Sequence, residues 1–109
     1  MTKKSSQKAP SHLSKEAKEI FNGLCEEYSI NDIAGLRILR VSLEAFDRAQ
    51  ACRKAIDRDG LTILDKFNQT KPHPLLSTER DSRAAFLAGL KALNLDLEPI
   101  KTVGRPAGR

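Results

Sequence analysis

Apolar residues first recur at the spacing of an amphipathic helix, at positions i, i+3, i+4 and i+7, in the segment that follows Ser14. Ser14 is suited to cap the start of this segment, because serine is preferred at that position. The apolar positions are Ala17, Ile20, Phe21, Leu24, Cys25 and Tyr28. Residues 29–32 break the period and offer Asn31 or Asp32 as the next cap. The pattern therefore predicts a first helix that ends near Tyr28.

A second, longer helix is predicted from about Asp32 to Asp59, ending at Gly60, with a length of about 42 Å at 1.5 Å per residue. One apolar stripe comprises Ile38, Val41, Ala45, Ala49, Cys52 and Ile56. A neighbouring stripe comprises Leu36, Leu39, Leu43 and Phe46. The two stripes span an arc of about 220°, about double the arc that a helix on one core needs. We therefore expect Leu36, Leu39, Leu43 and Phe46 to form an oligomer interface with a second copy.

A small β-hairpin is predicted at about residues 61–72. Leu61-Thr62-Ile63-Leu64 is rich in β-prone residues, residues 65–69 are typical of a turn, and Thr70-Lys71-Pro72 suits a short edge strand. Pro72 and Pro74 disfavour helix around His73. The hairpin therefore separates the long helix from the last helical segment.

The last helix is predicted to open at Ser77 or Thr78, with Asp81 as the capping partner, and to stop at Asn94. Its expected buried stripe is Phe86, Leu87, Leu90 and Leu93. The whole pattern predicts a mainly α fold. It consists of a helical hairpin with a long central helix, a small β-hairpin and a C-terminal helix, assembling into a homo-oligomer.

Basic charge is concentrated at the two ends of the chain. The 109 residues carry a net charge of +5, and residues 1–12 and 99–109 each hold three basic residues and no acidic one. The middle is therefore almost neutral. We expect a mobile basic arm at 1–12, an oligomerisation core at 13–98 and a flexible basic tail at 99–109. Candidates for DNA contact, chosen by charge alone, are Lys3, Lys4, Lys8, Arg37, Arg40, Arg105 and Arg109.

Each of these basic features has a second interpretation. On the long helix, Arg40 with Glu44 and Glu44 with Arg48 are i, i+4 pairs that favour a solvated, self-neutralised face. The helix is too long and too apolar for a recognition helix, which favours an antiparallel helical hairpin over a helix-turn-helix. The tail sequence Gly104-Arg105-Pro106 is typical of minor-groove hooks, but it also suits a tag that docks on a protein.

Motifs for catalysis and metal binding are missing from the sequence. The six glycines form no phosphate-binding loop, and His12, His73 and the two cysteines do not complete a zinc set. No local signature pairs a nucleophile with a base. With aromatic residues at 5% and no Trp, stacking platforms for single-stranded nucleic acid are also disfavoured. We expect a protein that is not an enzyme and needs no cofactor or metal.

The two cysteines and the chain start bear on the compartment. Cys25 and Cys52 fall on apolar stripes, which favours buried free thiols over a disulfide and hence a reducing compartment. The sequence shows no signal-peptide h-region and no stretch of apolar residues long enough to cross a membrane. We therefore expect a cytosolic protein.

Five short stretches, taken in order, resemble the small subunit of the terminase of tailed double-stranded-DNA phages, in the group common among cohesive-end packagers. The stretches are Ala9-Pro10 leading into His12-Leu13-Ser14-Lys15-Glu16-Ala17; Ala45-Phe46-Asp47-Arg48; Gly60-Leu61-Thr62; His73-Pro74; and Glu79-Arg80-Asp81-Ser82-Arg83-Ala84 continuing to Leu93-Asn94-Leu95 and Pro99. The resemblance covers most of the chain.

The resemblance implies a non-enzymatic, ring-forming protein in the host bacterial cytoplasm. Its partners would be double-stranded phage DNA, which it recognises when packaging starts, further copies of itself, and the large terminase subunit, which holds the ATPase and nuclease. The family supplies no catalytic residues. A dimeric helical transcriptional regulator is the alternative, and an adaptor that binds only protein is a third possibility. Ring or two-fold symmetry separates the first two, and the salt dependence of DNA binding tests the third.

Overall fold

The structure, a computed structural model, describes residues 9–95. In chain order the elements are α1 (Lys15–Tyr28), α2 (Ile33–Asp59), β1 (Thr62–Leu64), β2 (Thr70–Pro72) and α3 (Leu76–Ala92). The two strands form an antiparallel sheet. The predicted mainly helical fold with one small hairpin is confirmed. Most of the predicted arm and the whole predicted tail lie outside the described residues, together with Lys3, Lys4, Lys8, Arg105 and Arg109.

Local capping explains most of the helix ends. The Ser14 hydroxyl accepts a hydrogen bond from the N–H of Ala17 at 3.1 Å, and the Asp32 carboxylate accepts one from the N–H of Gly35 at 2.8 Å. Both bonds satisfy donors that have no partner inside the first helical turn. At Gly60, which follows α2, φ is +93°, a conformation that costs glycine little. These ends agree with the predicted ones.

The start of α3 differs from the prediction. Leu76 begins the helix, so Ser77 and Thr78 lie inside its first turn and neither is the N-cap. His73 serves this helix start instead: its Nδ1 accepts from the N–H of Leu75 at 3.0 Å and its carbonyl accepts from Leu76 at 3.1 Å. Asn94 lies just beyond the end of α3 and adopts the left-handed conformation, with φ of 58°, as expected for the residue that ends this helix.

Helices α1 and α2 form an antiparallel hairpin whose contact is made by large side chains. Ser14 at the start of α1 bonds to Asp47, whereas Ile30 beyond its end lies against Gly35. The core cluster between and around these helices comprises Leu13, Ala17, Phe21, Cys25, Ile30, Leu39 and Leu43. Interlocking of these side chains holds α1 against the first half of α2.

Helices α2 and α3 are also antiparallel, but small residues form their contact. Ser42 faces Gly89 so closely that a Cβ placed on Gly89 would lie 2.8 Å from the Cβ of Ser42. One turn away, the rings of Phe46 and Phe86 pack with centroids 5.2 Å apart. Further buried small residues on these two helices are Ala45, Ala49, Cys52 and Ser82. The close approach lets α3 follow α2 over much of its length.

The two apolar stripes of α2 are thus largely covered within a single chain. Leu39 and Leu43 are fully buried, so the predicted oligomer interface is wrong at these two positions, where no surface is left for a second copy. Leu36 and Phe46 pack half-buried against the same core. Val41, predicted on the other stripe, is instead 54% exposed. On α3 the expected buried stripe is wrong at Leu87, which is exposed, because Ser82 occupies the buried face.

The thiols agree with the prediction. Cys25 and Cys52 are both buried and free, and burial raises the pKa of the Cys25 thiol. Within residues 9–95, none of the helices combines the length and apolar character that crossing a bilayer requires.

Candidate functional site

The outer face of α2 carries the two candidate DNA contacts that fall within the described residues. Arg40 donates from Nε to Glu44 at 3.2 Å, which confirms one predicted i, i+4 pair. Glu44 also accepts a hydrogen bond from Nε2 of His12 at 2.7 Å, and this bond is the main cause that lowers the pKa of Glu44. The second predicted pair, from Glu44 to Arg48, is not formed. The charge of Arg40 is thus partly neutralised by Glu44.

Arg37 lies one turn earlier on the same face. It is exposed and pairs with no carboxylate between residues 9 and 95, so an approaching phosphate would not have to displace one. Two apolar side chains flank it at i−4 and i+4: Ile33, which is 87% exposed, and Val41. Such a surface suits either phosphate contact or protein contact.

Two hydrogen bonds fix the start of α1 to this part of α2. The backbone N–H of Ser14 donates to one carboxylate oxygen of Asp47 at 2.8 Å, and its hydroxyl donates to the other at 2.6 Å. Ala9 packs against the core as well. The predicted arm therefore gives way to packed chain by residue 9 and not at residue 12.

The β-hairpin presents apolar side chains to solvent. Its tight turn is held by Asp65, whose Oδ1 accepts from the N–H groups of Phe67 at 2.8 Å and Gln69 at 2.9 Å. Phe67 is 70% exposed and Leu64 64% exposed. The ammonium of Lys66 lies 5.5 Å from the centre of the Phe67 ring. We call residues 64–67 the hairpin tip. Sequence reasoning assigned this segment to a hairpin but missed its exposed apolar character, although leucine and phenylalanine beside a turn were a signal.

His73 anchors the base of the hairpin. Its N–H donates to the carbonyl of Leu61 at 2.8 Å, and its ring is buried. Because Nδ1 accepts from Leu75, the proton resides on Nε2, which donates to Asp59 at 2.9 Å. Hydrogen bonds from Arg58 and then His73 hold the pKa of Asp59 far below its ordinary value. This arrangement is structural, joining the end of α2 to the start of α3.

A cleft of about 440 Å³ lies at the other end of the molecule. The end of α1, the start of α2 and the end of α3 surround it, and we call it the terminal cleft. Ile30, Ile38, Leu93 and Leu95 supply apolar walls, and Asp32 lies at its side. No group of three or more potential metal ligands occurs in the described part of the chain.

Several of the five short stretches singled out in the sequence touch one another in the fold. Ser14 of the first stretch bonds to Asp47 of the second, and Phe46 of the second packs on Phe86, which lies between the quoted parts of the last. Leu61 of the third bonds to His73 of the fourth. No family model matches the chain, and neither curated proteins nor solved structures give a significant match.

Proposed function

We propose that the chain is the small subunit of a phage terminase: a non-catalytic DNA-binding protein that assembles into a ring. It recognises double-stranded viral DNA when packaging starts, in the host bacterial cytoplasm, and delivers that DNA to the large subunit with its ATPase and nuclease. The residues proposed to contact DNA are Lys3, Lys4, Lys8, Arg37, Arg40, Arg105 and Arg109.

The observation that carries the proposal is the ordered set of family-like stretches together with their contacts. Here the bonds from Ser14 to Asp47 and from His73 to Leu61 each join two such stretches at hydrogen-bond distance. The stretches lie within one helical framework, and their order along the chain is what supports the proposal.

Charge placement supports the DNA-binding part. The chain ends are purely basic, whereas many charges of the body are compensated locally, as in the pairs of Arg58 with Asp59 and Arg83 with Glu79. A ring multiplies whatever uncompensated charge each copy carries, including that of Arg37. Such a surface attracts phosphate without reading sequence.

Exposed apolar side chains support the assembly part. Large hydrophobic side chains left in solvent by a single copy are Ile33, Val41, Leu61, Leu64, Phe67 and Leu87. Three of the six belong to the hairpin and its base, which is a small part of the chain. Clustered exposed apolar surface is typical of protein contact. The hairpin thus replaces the buried Leu39 and Leu43 as the surface proposed for contact between copies.

DNA binding is tested by the salt dependence of affinity for generic double-stranded DNA, measured by fluorescence anisotropy. Neutralising Lys3, Lys4 and Lys8 to Gln is expected to flatten the plot of log K against log salt by about 0.9 for each phosphate that the arm no longer neutralises. Arg37→Gln should flatten the plot by the amount expected for about one phosphate. Lys54→Gln, which removes the same charge elsewhere on α2, is the matched control and should leave the slope unchanged.

Three results would contradict the proposal. Absence of binding even at low salt would favour the protein-only adaptor. An unchanged slope in the arm variant would remove the arm from the DNA contact. Native mass spectrometry of the full chain should give a ring of several copies, and a two-fold dimer would favour the transcriptional regulator instead.

A further inference from the structure

The hairpin tip and the terminal cleft lie at opposite ends of α2. Gly60, which leads into the hairpin, and Gly35, which lines the cleft, are separated along the helix by about 37 Å at 1.5 Å per residue. One end of the protomer therefore presents exposed apolar side chains, and the other end presents a cleft with both apolar and polar walls. A single copy cannot bring these two features together, because the straight helix holds them apart.

The hairpin tip offers one aromatic ring and one cation as a unit. Phe67 is exposed at the turn, and Lys66 stays close to its ring. Asp65 is occupied by two backbone N–H groups of the same turn. His73 ties the base of the hairpin to both α2 and α3, so the tip is presented in a defined direction.

The terminal cleft is complementary in polarity as well as in shape. Its lining combines apolar side chains with nearly as much polar surface, from residues such as Ser29, Asp32 and Asn94, and no Lys or Arg is among the described residues that line it. Helices α1 and α3 both end there, and their C-terminal carbonyl groups give the cleft partial negative charge. Asp32 offsets the positive start of α2. An aromatic side chain accompanied by an ammonium group fits this environment.

We infer that the hairpin tip of one copy inserts into the terminal cleft of the next copy, with Phe67 against the apolar walls and Lys66 toward the helix ends. This contact rests on the self-assembly part of the proposed function and names the surfaces that make it. It is heterologous, since two different patches meet, and such contacts generate closed rings when the rotation between copies closes.

Two single substitutions in the full-length chain test the contact from its two sides. Phe67→Ala removes the inserted ring, and Ala92→Arg places a bulky cation in the cleft. Both positions are exposed, and Arg near the end of α3 suits the helix dipole, so both variants should keep the helical circular-dichroism spectrum of the wild type. In light scattering each is expected to fall from the wild-type assembly to a monomer. Leu87→Ala, an exposed apolar truncation on α3 outside both surfaces, is the matched control and should keep the wild-type mass.

Mixing the two variants gives the sharpest result. The Phe67→Ala chain keeps an intact cleft, and the Ala92→Arg chain keeps an intact tip, so one productive contact remains in the mixture. Native mass spectrometry should detect dimers that contain one copy of each variant and nothing larger. A contact between identical patches would not produce this pattern.

The outcomes separate this inference from the proposed function. A wild-type chain that stays monomeric would overturn both the ring and the contact. A wild-type ring that survives either substitution would overturn the contact alone, and its survival in Ala92→Arg would leave the cleft to another occupant such as residues 96–109. Two monomeric variants that fail to pair when mixed would also overturn it.

Discussion

The two sides of α2 pack by opposite means. Toward α1 the contact consists of large side chains such as Phe21, Leu39 and Leu43, which fill the space between helices that stay apart. Toward α3 it consists of small residues, and Ser42 and Gly89 allow the backbones to approach closely. The contact with α1 depends on large side chains that fill the space between the helices, whereas the contact with α3 depends on small side chains that leave room for the two backbones.

This difference predicts opposite sensitivities on one helix. Removing atoms should be most costly on the α1 side, because a cavity remains where the side chain was. Adding atoms should be most costly on the α3 side, because there is no room for them. Substitutions of each kind test whether the two contacts differ as described.

The largest effect is expected for Leu43→Ala. Leu43 is fully buried in the α1 contact, so its truncation should lower the free energy of unfolding by about 2–5 kcal/mol. Val41→Ala removes an apolar side chain from the exposed side of the same helix and should change it by less than about 0.5 kcal/mol. Urea unfolding followed by circular dichroism at one fixed protein concentration measures both. Equal losses would show that Val41 is covered by another copy.

Gly89→Ala should have the next largest effect. Alanine favours helix by about 1 kcal/mol over glycine, but the new Cβ would clash with the Ser42 side chain, and we expect a net loss of about 1–3 kcal/mol. When Gly89→Ala is combined with Ser42→Gly, the side chain that clashes is gone, and the nearest remaining atom of residue 42 is its Cα, 3.6 Å from the new Cβ. The double variant should therefore be more stable than the sum of the two single losses predicts.

Gly23→Ala is the matched control for this substitution. Gly23 lies in α1, and apart from its chain neighbours and the backbone of its own helix no atom lies within 4 Å of an added Cβ, so the same change should stabilise the protein by up to about 1 kcal/mol. A loss of stability at Gly23, or a gain at Gly89, would contradict the close approach of α2 and α3.

The smallest effects concern two histidine–carboxylate contacts, one on each side of α2. The side chain of His12, against Glu44, is 49% exposed, whereas that of His73, against Asp59, is 5% exposed. Both carboxyl pKa values are lowered in the fold, so each charge stabilises the protein at neutral pH and loses that effect as the pH falls below the ordinary values of 4.5 for Glu and 3.8 for Asp.

We therefore expect Asp59→Asn to lower the melting temperature at neutral pH more than Glu44→Gln does. Both variants should converge with the wild type in acid, where the carboxylates are protonated in every protein. Thermal unfolding followed across this pH range provides the measurement. A larger effect of Glu44→Gln would mean that the exposed contact is the more important one.

Caps and turns explain how far the fold was predictable from the sequence. Two helices begin where the side chain of Ser14 or Asp32 accepts a hydrogen bond from the next turn. Two helices end where Gly60 or Asn94 adopts a positive φ. Because each of these residues acts locally, the sequence is sufficient to predict these ends. The start of α3 was not predictable in this way. Its N-cap is Leu75, which has no capping side chain, and the ring of His73 binds the N–H of Leu75, a contact for which the sequence has no recognised signal.

The helix contacts were harder to predict, for a physical reason. Hydrophobic periodicity weighs each position by its apolar size, so a contact built on Ser42, Ser82 and Gly89 produces almost no signal. Leu87 was consequently placed on the buried face in error. The wide apolar arc of α2 was recognised, but nothing in the pattern distinguished a third helix of the same chain from a second copy. The hairpin tip and the terminal cleft were not predicted as a pair, because the cleft exists only after three helix ends meet.

The close approach at Ser42 and Gly89 also constrains how the sequence can change over evolutionary time. A larger residue at either position is tolerable only if the other becomes smaller, so among homologues the two positions should covary with a nearly constant joint volume. Gly23, in open space, should drift independently of both.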